Sequence, residues 1–196
     1  MFETRPSNNS SSDKIGVLEG SLCYLIGAID RVEDQGKGWR REIVGKCKKK
    51  GIKIKFLDPT NKISKLKKEI DEEHFKLCEL KSTGRFDELS DFVKDIVHDD
   101  HRGIDIADFG IVYIDMNCHM CGSYFELQSL LTQHKPYFII IKQGKKEAPG
   151  WLFGILDHNY MFDSVDEVVE ELRKINEGVT PLNDKWVLIR KELAEL

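Results

Sequence analysis

The sequence predicts an α/β domain with a doubly wound, five-stranded parallel sheet and helices on both faces. Three observations carry that prediction: short, almost wholly apolar runs recur, stretches of helical spacing alternate with them, and no fixed-period repeat points to a solenoid. LCYLIGAI at 22–29 suits a strand buried on both faces, and it ends in the polar, glycine-containing loop DRVEDQGKG. Residues 39–50 set Ile43, Val44 and Cys47 on one helical face and stop at Gly51, before IKIKFLDP, a strand closed by Pro59. Between Asn61 and Asp99 two helical stretches flank STGRF, the second carrying Phe86, Leu89, Phe92, Val93, Ile96 and Val97 at helical spacing. DFGIVYID at 108–115 is the third strand, 122–134 a helix and YFIIIKQG at 137–144 the fourth strand. The short runs WLFGIL and YMF follow. Ser164 then caps a helix over 164–177 with Glu167 at its N3 position, and a last strand or helix is expected at 186–196.

Composition narrows the class of protein. The 196 residues suit one domain, read as a polar, flexible tail at 1–14 and a single folded unit at 15–196. With 40% hydrophobic and 33% charged residues, the chain is neither disordered, collagen-like nor membrane-spanning. A net charge of -4 gives no global positive field, so small molecules rather than nucleic acid or membrane are the expected partners. The lysine runs at 46–55 and 62–68 lack interleaved aromatics, and acidic residues follow them, as on a solvated helical face. Five scattered cysteines do not form a secreted disulfide framework, and no signal pattern opens the chain; a cytoplasmic location is expected.

In a doubly wound sheet, ligands bind beyond the carboxyl ends of the strands, which directs attention to 28–38, 58–62 and 115–126. The strongest local signal is Cys121-Gly122-Ser123-Tyr124-Phe125-Glu126. Gly122 permits a tight turn, and the first N–H groups of the helix can hold an anion beside Ser123. On pattern alone the favoured reading of Glu126 is a first-turn glutamate stabilised by the helix dipole. Cys118-His119-Met120-Cys121 lacks a second ligand pair at zinc spacing, and neither a metal nor another cofactor is expected.

A wider constellation sharpens the reading. Tyr24-Leu-Ile-Gly27-Ala-Ile, Gly38-Trp39-Arg40, Gly51-Ile, Leu57-Asp58-Pro59 with Asn61-Lys62, Asp108-Phe-Gly-Ile-Val and Cys121-Gly-Ser-Tyr-Phe-Glu126 occur in that order. Lys135-Pro136 and Pro149-Gly-Trp151-Leu complete the set. Together, over roughly 21–175, they resemble the nucleoside 2-deoxyribosyltransferase family. The resemblance implies a flavodoxin-like sheet and cleavage of the N-glycosidic bond of a 2-deoxyribonucleoside or its 5′-monophosphate, with transfer of the sugar to another base or to water. It implies Glu126 as the nucleophile, Asp100 as the acid that binds and protonates the base, and a homo-oligomer whose sites are completed by a neighbouring subunit; position alone suggests the region after Glu177, including Asn183 and Trp186, for that contribution.

The chemistry agrees with such a pair. Cleavage of a C1′–N bond passes through a cation-like sugar, which a carboxylate can trap as an ester, while an acid of raised pKa protonates the departing base. Asp100 is expected to be that acid, with His101 beside it touching the base. Asp30, Arg31, Trp39 and Arg40 are candidate ligand contacts, Arg40 to a 5′-phosphate; ion pairing for the arginines and packing for Trp39 are the alternatives. Asp58 is read as a ligand contact or a turn residue.

Two departures stand out. Met120 occupies the place of a further carboxylate six residues before the nucleophile, leaving the sugar hydroxyls to Asp115 or Ser123. The family's tyrosine falls nearest Leu25, with Tyr24 one place off and facing the other way. Two other readings share the fold: a catalytically silent nucleotide sensor, and a phosphoribohydrolase of the lysine-decarboxylase-like type, whose Gly-Gly-x-Gly-Thr-x-x-Glu turn has two more glycines.

Overall fold

A computed structural model describes residues 16–29, 32–61, 69–183 and 186. The readings made for 1–14, for the lysine run at 62–68 and for 187–196 lie outside the described residues, as do Asp30 and Arg31. The strands are β1 (Leu22–Gly27), β2 (Lys55–Leu57), β3 (Phe109–Ile114), β4 (Tyr137–Ile141) and β5 (Met161–Phe162). Between them run α1 (Lys37–Lys49), α2 (Glu69–Ser82), α3 (Phe86–Ile106), α4 (Cys121–Thr132) and α5 (Gly150–Ile155), with α6 (Val165–Asn176) after β5. All pairings are parallel, in the order β2-β1-β3-β4-β5. This is the flavodoxin-like order, with its topological switch between β1 and β3.

The expected succession of elements is present, with shifted ends. β1 stops at Gly27, and β2 is three residues long. The helix expected to end near Asp99 runs on to Ile106, so Asp100 and His101 sit on α3 rather than in a loop. The Ser164 hydroxyl accepts from the Glu167 N–H at 3.3 Å, while the Glu167 carboxylate accepts from the Asp163 N–H. That capping arrangement starts α6 where the sequence indicates.

Strand alternation divides the core in two. Cys23, Leu25, Phe109, Ile111, Phe138 and Ile140 pack toward α1 and α6, where Trp186 also lies buried on Phe109 and Phe138. Tyr24, Ile26, Val112, Ile114, Ile139 and Ile141 pack on the other face, against Ile104 of α3, Leu127 and Leu130 of α4 and Leu152 of α5. Gly110 is required there, because a Cβ would stand 2.3 Å from Leu130. The alternation also fixes the direction of Tyr24: it points to the α3–α4 face, Leu25 to the opposite one. Among the described residues no helix is long and apolar enough to cross a membrane.

Candidate active site

The carboxyl ends of β1 and β3 open onto a cavity of about 420 Å³, a volume in the ordinary range of small-molecule sites. Gly27 at the end of β1 with Ala28 and Ile29 after it, Pro59 and Thr60 after β2, and 119–123 at the start of α4 line one side. These are the three chain segments the topology designates. The other side was not anticipated: α2 and α3 form a helical hairpin whose His74, Leu77, Ile96 and Val97 make a largely apolar wall. Asp100 and His101, one turn further along α3, line the cavity as well, and Glu126 faces it from α4.

At its base the Tyr24 hydroxyl lies 3.1 Å from Asp100 Oδ1 and 3.1 Å from Glu126 Oε1. Expecting Tyr24 to face away from Glu126 was an error of register: both carboxyl groups stand on the α3–α4 face, which is Tyr24's face and not Leu25's. Those two carboxyl oxygens therefore lie within about 6 Å of each other. A second determinant escaped the sequence reading. A Cβ at Gly103 would come within 2.6 Å of Tyr24 Cε2, so the missing side chain on α3 makes room for the phenol.

The electrostatics follow from burial. Glu126 is the sixth residue of α4, past the first turn, so the helix dipole does not account for it. Desolvation, reinforced by the nearby Asp100, pushes its carboxyl up to about 7, against the Tyr24 hydrogen bond and the charge of Arg40. Burial and the same two carboxylates push the Tyr24 phenol well above its ordinary range, so it remains a proton donor. A phenol has one proton to give. Contacts to two carboxyl groups are satisfied together when one carboxyl is itself protonated, and the raised Glu126 value favours a proton held within the pair.

The other candidates divide clearly. Ser123 is 94% buried against the cavity. Its hydroxyl makes no hydrogen bond to a described residue, and it sits among the first-turn N–H groups of α4, where no acidic side chain stands. Gly122 lines the cavity beside it, and Gly27 does so from β1. A side chain at Gly27 would meet the Trp39 ring at 3.0 Å. His101 Nδ1 pairs with the Ser129 hydroxyl at 3.0 Å, which orients its ring.

Trp39 and Arg40 do not reach this cavity. Trp39 is buried, stacked on Tyr113 at 5.0 Å between ring centroids, as the packing alternative expected. Arg40 is fully buried, which removes it from the reach of a phosphate. Its Nη1 donates to the Gly36 carbonyl and its Nη2 to the carbonyls of Leu25 and Gly27. Asp58 forms a turn, accepting from the Thr60 N–H at 2.8 Å and hydroxyl at 2.7 Å, and its carboxylate stands 3.5 Å from Arg40 Nε.

Asp115 is likewise committed elsewhere, with Lys142 Nζ at 2.7 Å, Gln143 Nε2 at 2.6 Å and the Asn117 N–H at 3.0 Å. Burial works to raise its pKa, but these donors outweigh it and hold the carboxyl at about 2. Met120 is buried, its sulfur 3.2 Å from the Asp115 N–H. Asn183 bonds the Tyr160 hydroxyl within the same chain. Among the described residues no group of three or more His, Cys, Asp or Glu side chains is arranged to hold a metal ion.

No family model matches the chain, and no curated protein does. Among solved structures it is similar to a 2-deoxyribosyltransferase from the psychrotolerant bacterium Bacillus psychrosaccharolyticus, at 14% identity and a TM-score of 0.50, over 76% of this chain and 90% of that one. It also matches the CMP N-glycosidase BcmB of Clostridium botulinum, at 12% identity and a TM-score of 0.41, over 78% of this chain and 98% of that one. The first likeness establishes the fold.

Proposed function

We propose that this chain is a member of the nucleoside 2-deoxyribosyltransferase family and cleaves the N-glycosidic bond of a 2-deoxyribonucleoside or its 5′-monophosphate. The observation that carries this reading is the Tyr24 hydroxyl held between Asp100 and Glu126 at 3.1 Å each, at the base of a cavity. Two carboxyl groups within about 6 Å of each other are compatible with the short separation of roughly 5 Å used in retaining displacement, where one carboxylate attacks the anomeric carbon.

In the reactive arrangement the Tyr24 hydroxyl donates to the Glu126 carboxylate, and the proton shared by the pair resides on Asp100. Glu126 attacks C1′ as the C1′–N bond breaks, the bonding electrons pass to the base, and Asp100 delivers its proton there. The glycosyl ester on Glu126 is then opened by a second base or by water, giving transfer or hydrolysis. A general acid of this kind contributes roughly 10²- to 10⁴-fold. The apolar wall of Leu77, Ile96 and Val97 suits the faces of a heterocycle, with His101 at its edge. The first turn of α4 with the buried Ser123 hydroxyl suits the anionic end of a monophosphate. A homo-oligomer is part of the same proposal, as is exchange with an acceptor base.

The test is incubation with 2′-deoxynucleosides and their 5′-monophosphates, with and without a free base, followed by chromatography of released or exchanged base. Glu126→Ala is expected to abolish release while circular dichroism stays native. Full activity in that variant overturns the nucleophile assignment, and ligand binding without release by the native protein favours the sensor reading.

A further inference from the structure

Arg40 is an unusual residue to find where it is. It is the largest fully buried side chain of the described residues, in a position where a hydrophobic side chain would be less costly. The protein has built a socket for it. Three backbone carbonyls, those of Leu25, Gly27 and Gly36, point at its guanidinium. Gly36 has a φ of 68°, and a Cβ there would stand 2.4 Å from Arg40 Nη1 and 2.3 Å from the Ala28 carbonyl oxygen. The turn before α1 is therefore shaped around the guanidinium.

Its charge is only partly neutralised by Asp58. The two approach to 3.5 Å through a single oxygen that already accepts twice from Thr60, and Arg40 Nε has no hydrogen-bond partner. A bidentate pair would quench the field more fully. The carbonyls of Leu25 and Gly27 that bind the guanidinium lie one and three residues beyond Tyr24 on β1, and Arg40 does not line the cavity that Glu126 and Asp100 face.

We propose that Arg40 is a positioning residue for the acidic pair: a buried cation whose charge acts on Glu126 and Asp100, and whose guanidinium ties the carboxyl end of β1 to the α1 turn and to Asp58. This rests on the reading of Glu126 as the nucleophile. Tyr24 bonds Glu126 from β1, and the titratable groups that line the same cavity are Asp100 and His101 from α3, His74 from α2, His119 from the segment before α4 and Cys121 at its start. Of the charges acting on it, Asp100 raises its pKa and Arg40 lowers it. Burial works against the guanidinium charge, and Asp58, Glu126, Tyr24 and Asp100 oppose that effect. Arg40 accordingly favours the ionised form of Glu126, whose carboxyl is otherwise raised by desolvation and by Asp100.

The experiment reads Glu126 directly, by carbon NMR titration of glutamate-labelled protein assigned with Glu126→Gln, alongside the pH profile of base release. Arg40→Met is expected to move the Glu126 midpoint up by about one pH unit, the lower end for loss of a nearby opposite charge. Release at pH 7 then falls about fivefold, as the ionised fraction drops, and the deficit closes above roughly pH 9. Arg40→Lys retains the charge, so its midpoint stays near native, while loss of the fork to the β1 carbonyls raises KM. Asp58→Asn leaves Arg40 less neutralised, so the midpoint moves down; this arm stands even when Arg40→Met does not fold. Midpoints unchanged in Arg40→Met, or in Asp58→Asn where that is the folded variant, overturn the proposal. A native protein that releases no base overturns the enzymatic reading but leaves the NMR arm to report on Arg40.

Discussion

The Tyr24 hydroxyl stands 3.1 Å from Asp100 and 3.1 Å from Glu126, joining through one oxygen two acidic groups that are carried by different helices. Its removal tests how much the pair depends on it. In Tyr24→Phe the ionised Glu126 loses a donor, and kcat is expected to fall about 10- to 100-fold, the worth of one hydrogen bond to a charged group. The Glu126 midpoint rises in the same variant, because that bond favours the carboxylate. Steady-state kinetics and the NMR titration check the two halves separately.

Gly103 holds the space in which that phenol sits. Gly103→Ala improves helix propensity by about 1 kcal/mol but brings a Cβ to 2.6 Å from the Tyr24 ring. The expected outcome is a folded protein with at least tenfold lower kcat. When combined with Tyr24→Phe, the loss is far less than the product of the two, since both act through one hydroxyl. A double-mutant cycle on kcat measures this.

Glu126 links activity to stability. Its folded pKa, about 7, lies above the unfolded value of 4.5. The folded state therefore binds the extra proton between those values, so this contribution is complete below about pH 4.5 and is lost as pH rises through 7. Glu126→Gln, neutral at every pH, is expected to be more stable than the native protein at pH 8–9 by on the order of 2–3 kcal/mol, with little difference at pH 5. Urea denaturation at the two pH values is the measurement, and under the proposed reaction the same variant is expected to be inactive.

Asp115 has the opposite sign. Its carboxyl is held at about 2, below the ordinary 3.8, by Lys142, Asn117 and Gln143. The stability it contributes is present above about pH 4 and is lost as pH falls through 2. Lys142 is half exposed, so the expected cost of Asp115→Asn is discounted to about 1–2 kcal/mol at pH 7. That cost shrinks in acid, and thermal unfolding at pH 7 and pH 2.5 checks it. Base release is expected to change little, because Asp115 does not line the cavity.

Much of this molecule was legible from spacing. The buried runs at β1, β3 and β4 are too apolar for any other placement, whereas Gly122, read as a tight turn, lies inside the first turn of α4. Tyr24 was harder, because alternation states that neighbours face opposite ways without stating which face carries the partners; that depends on both α3 and α4 packing on one side of the sheet. Arg40 was harder still. An arginine near the start of a helix reads as a phosphate contact or a surface ion pair, and its burial follows from a socket of main-chain carbonyls that have no sequence signature. The turn residue reading of Asp58 held because Asp-Pro-Thr carries its own local hydrogen bonds. The apolar wall of α2 and α3 shows in the sequence only as helical spacing, since periodicity cannot distinguish a side chain packed on a core from one facing a ligand.

The helical hairpin between β2 and β3 carries Asp100 together with Leu77, Ile96 and Val97, whereas Glu126 rides on α4. Under the proposed reaction, recognition of the leaving group and attack on the sugar are thus encoded in separate stretches of chain. Drift or exchange within the hairpin can retarget the enzyme toward a different heterocycle while the nucleophile's own scaffold is inherited unaltered, which makes that insert the natural place for descendants of this protein to diverge in diet.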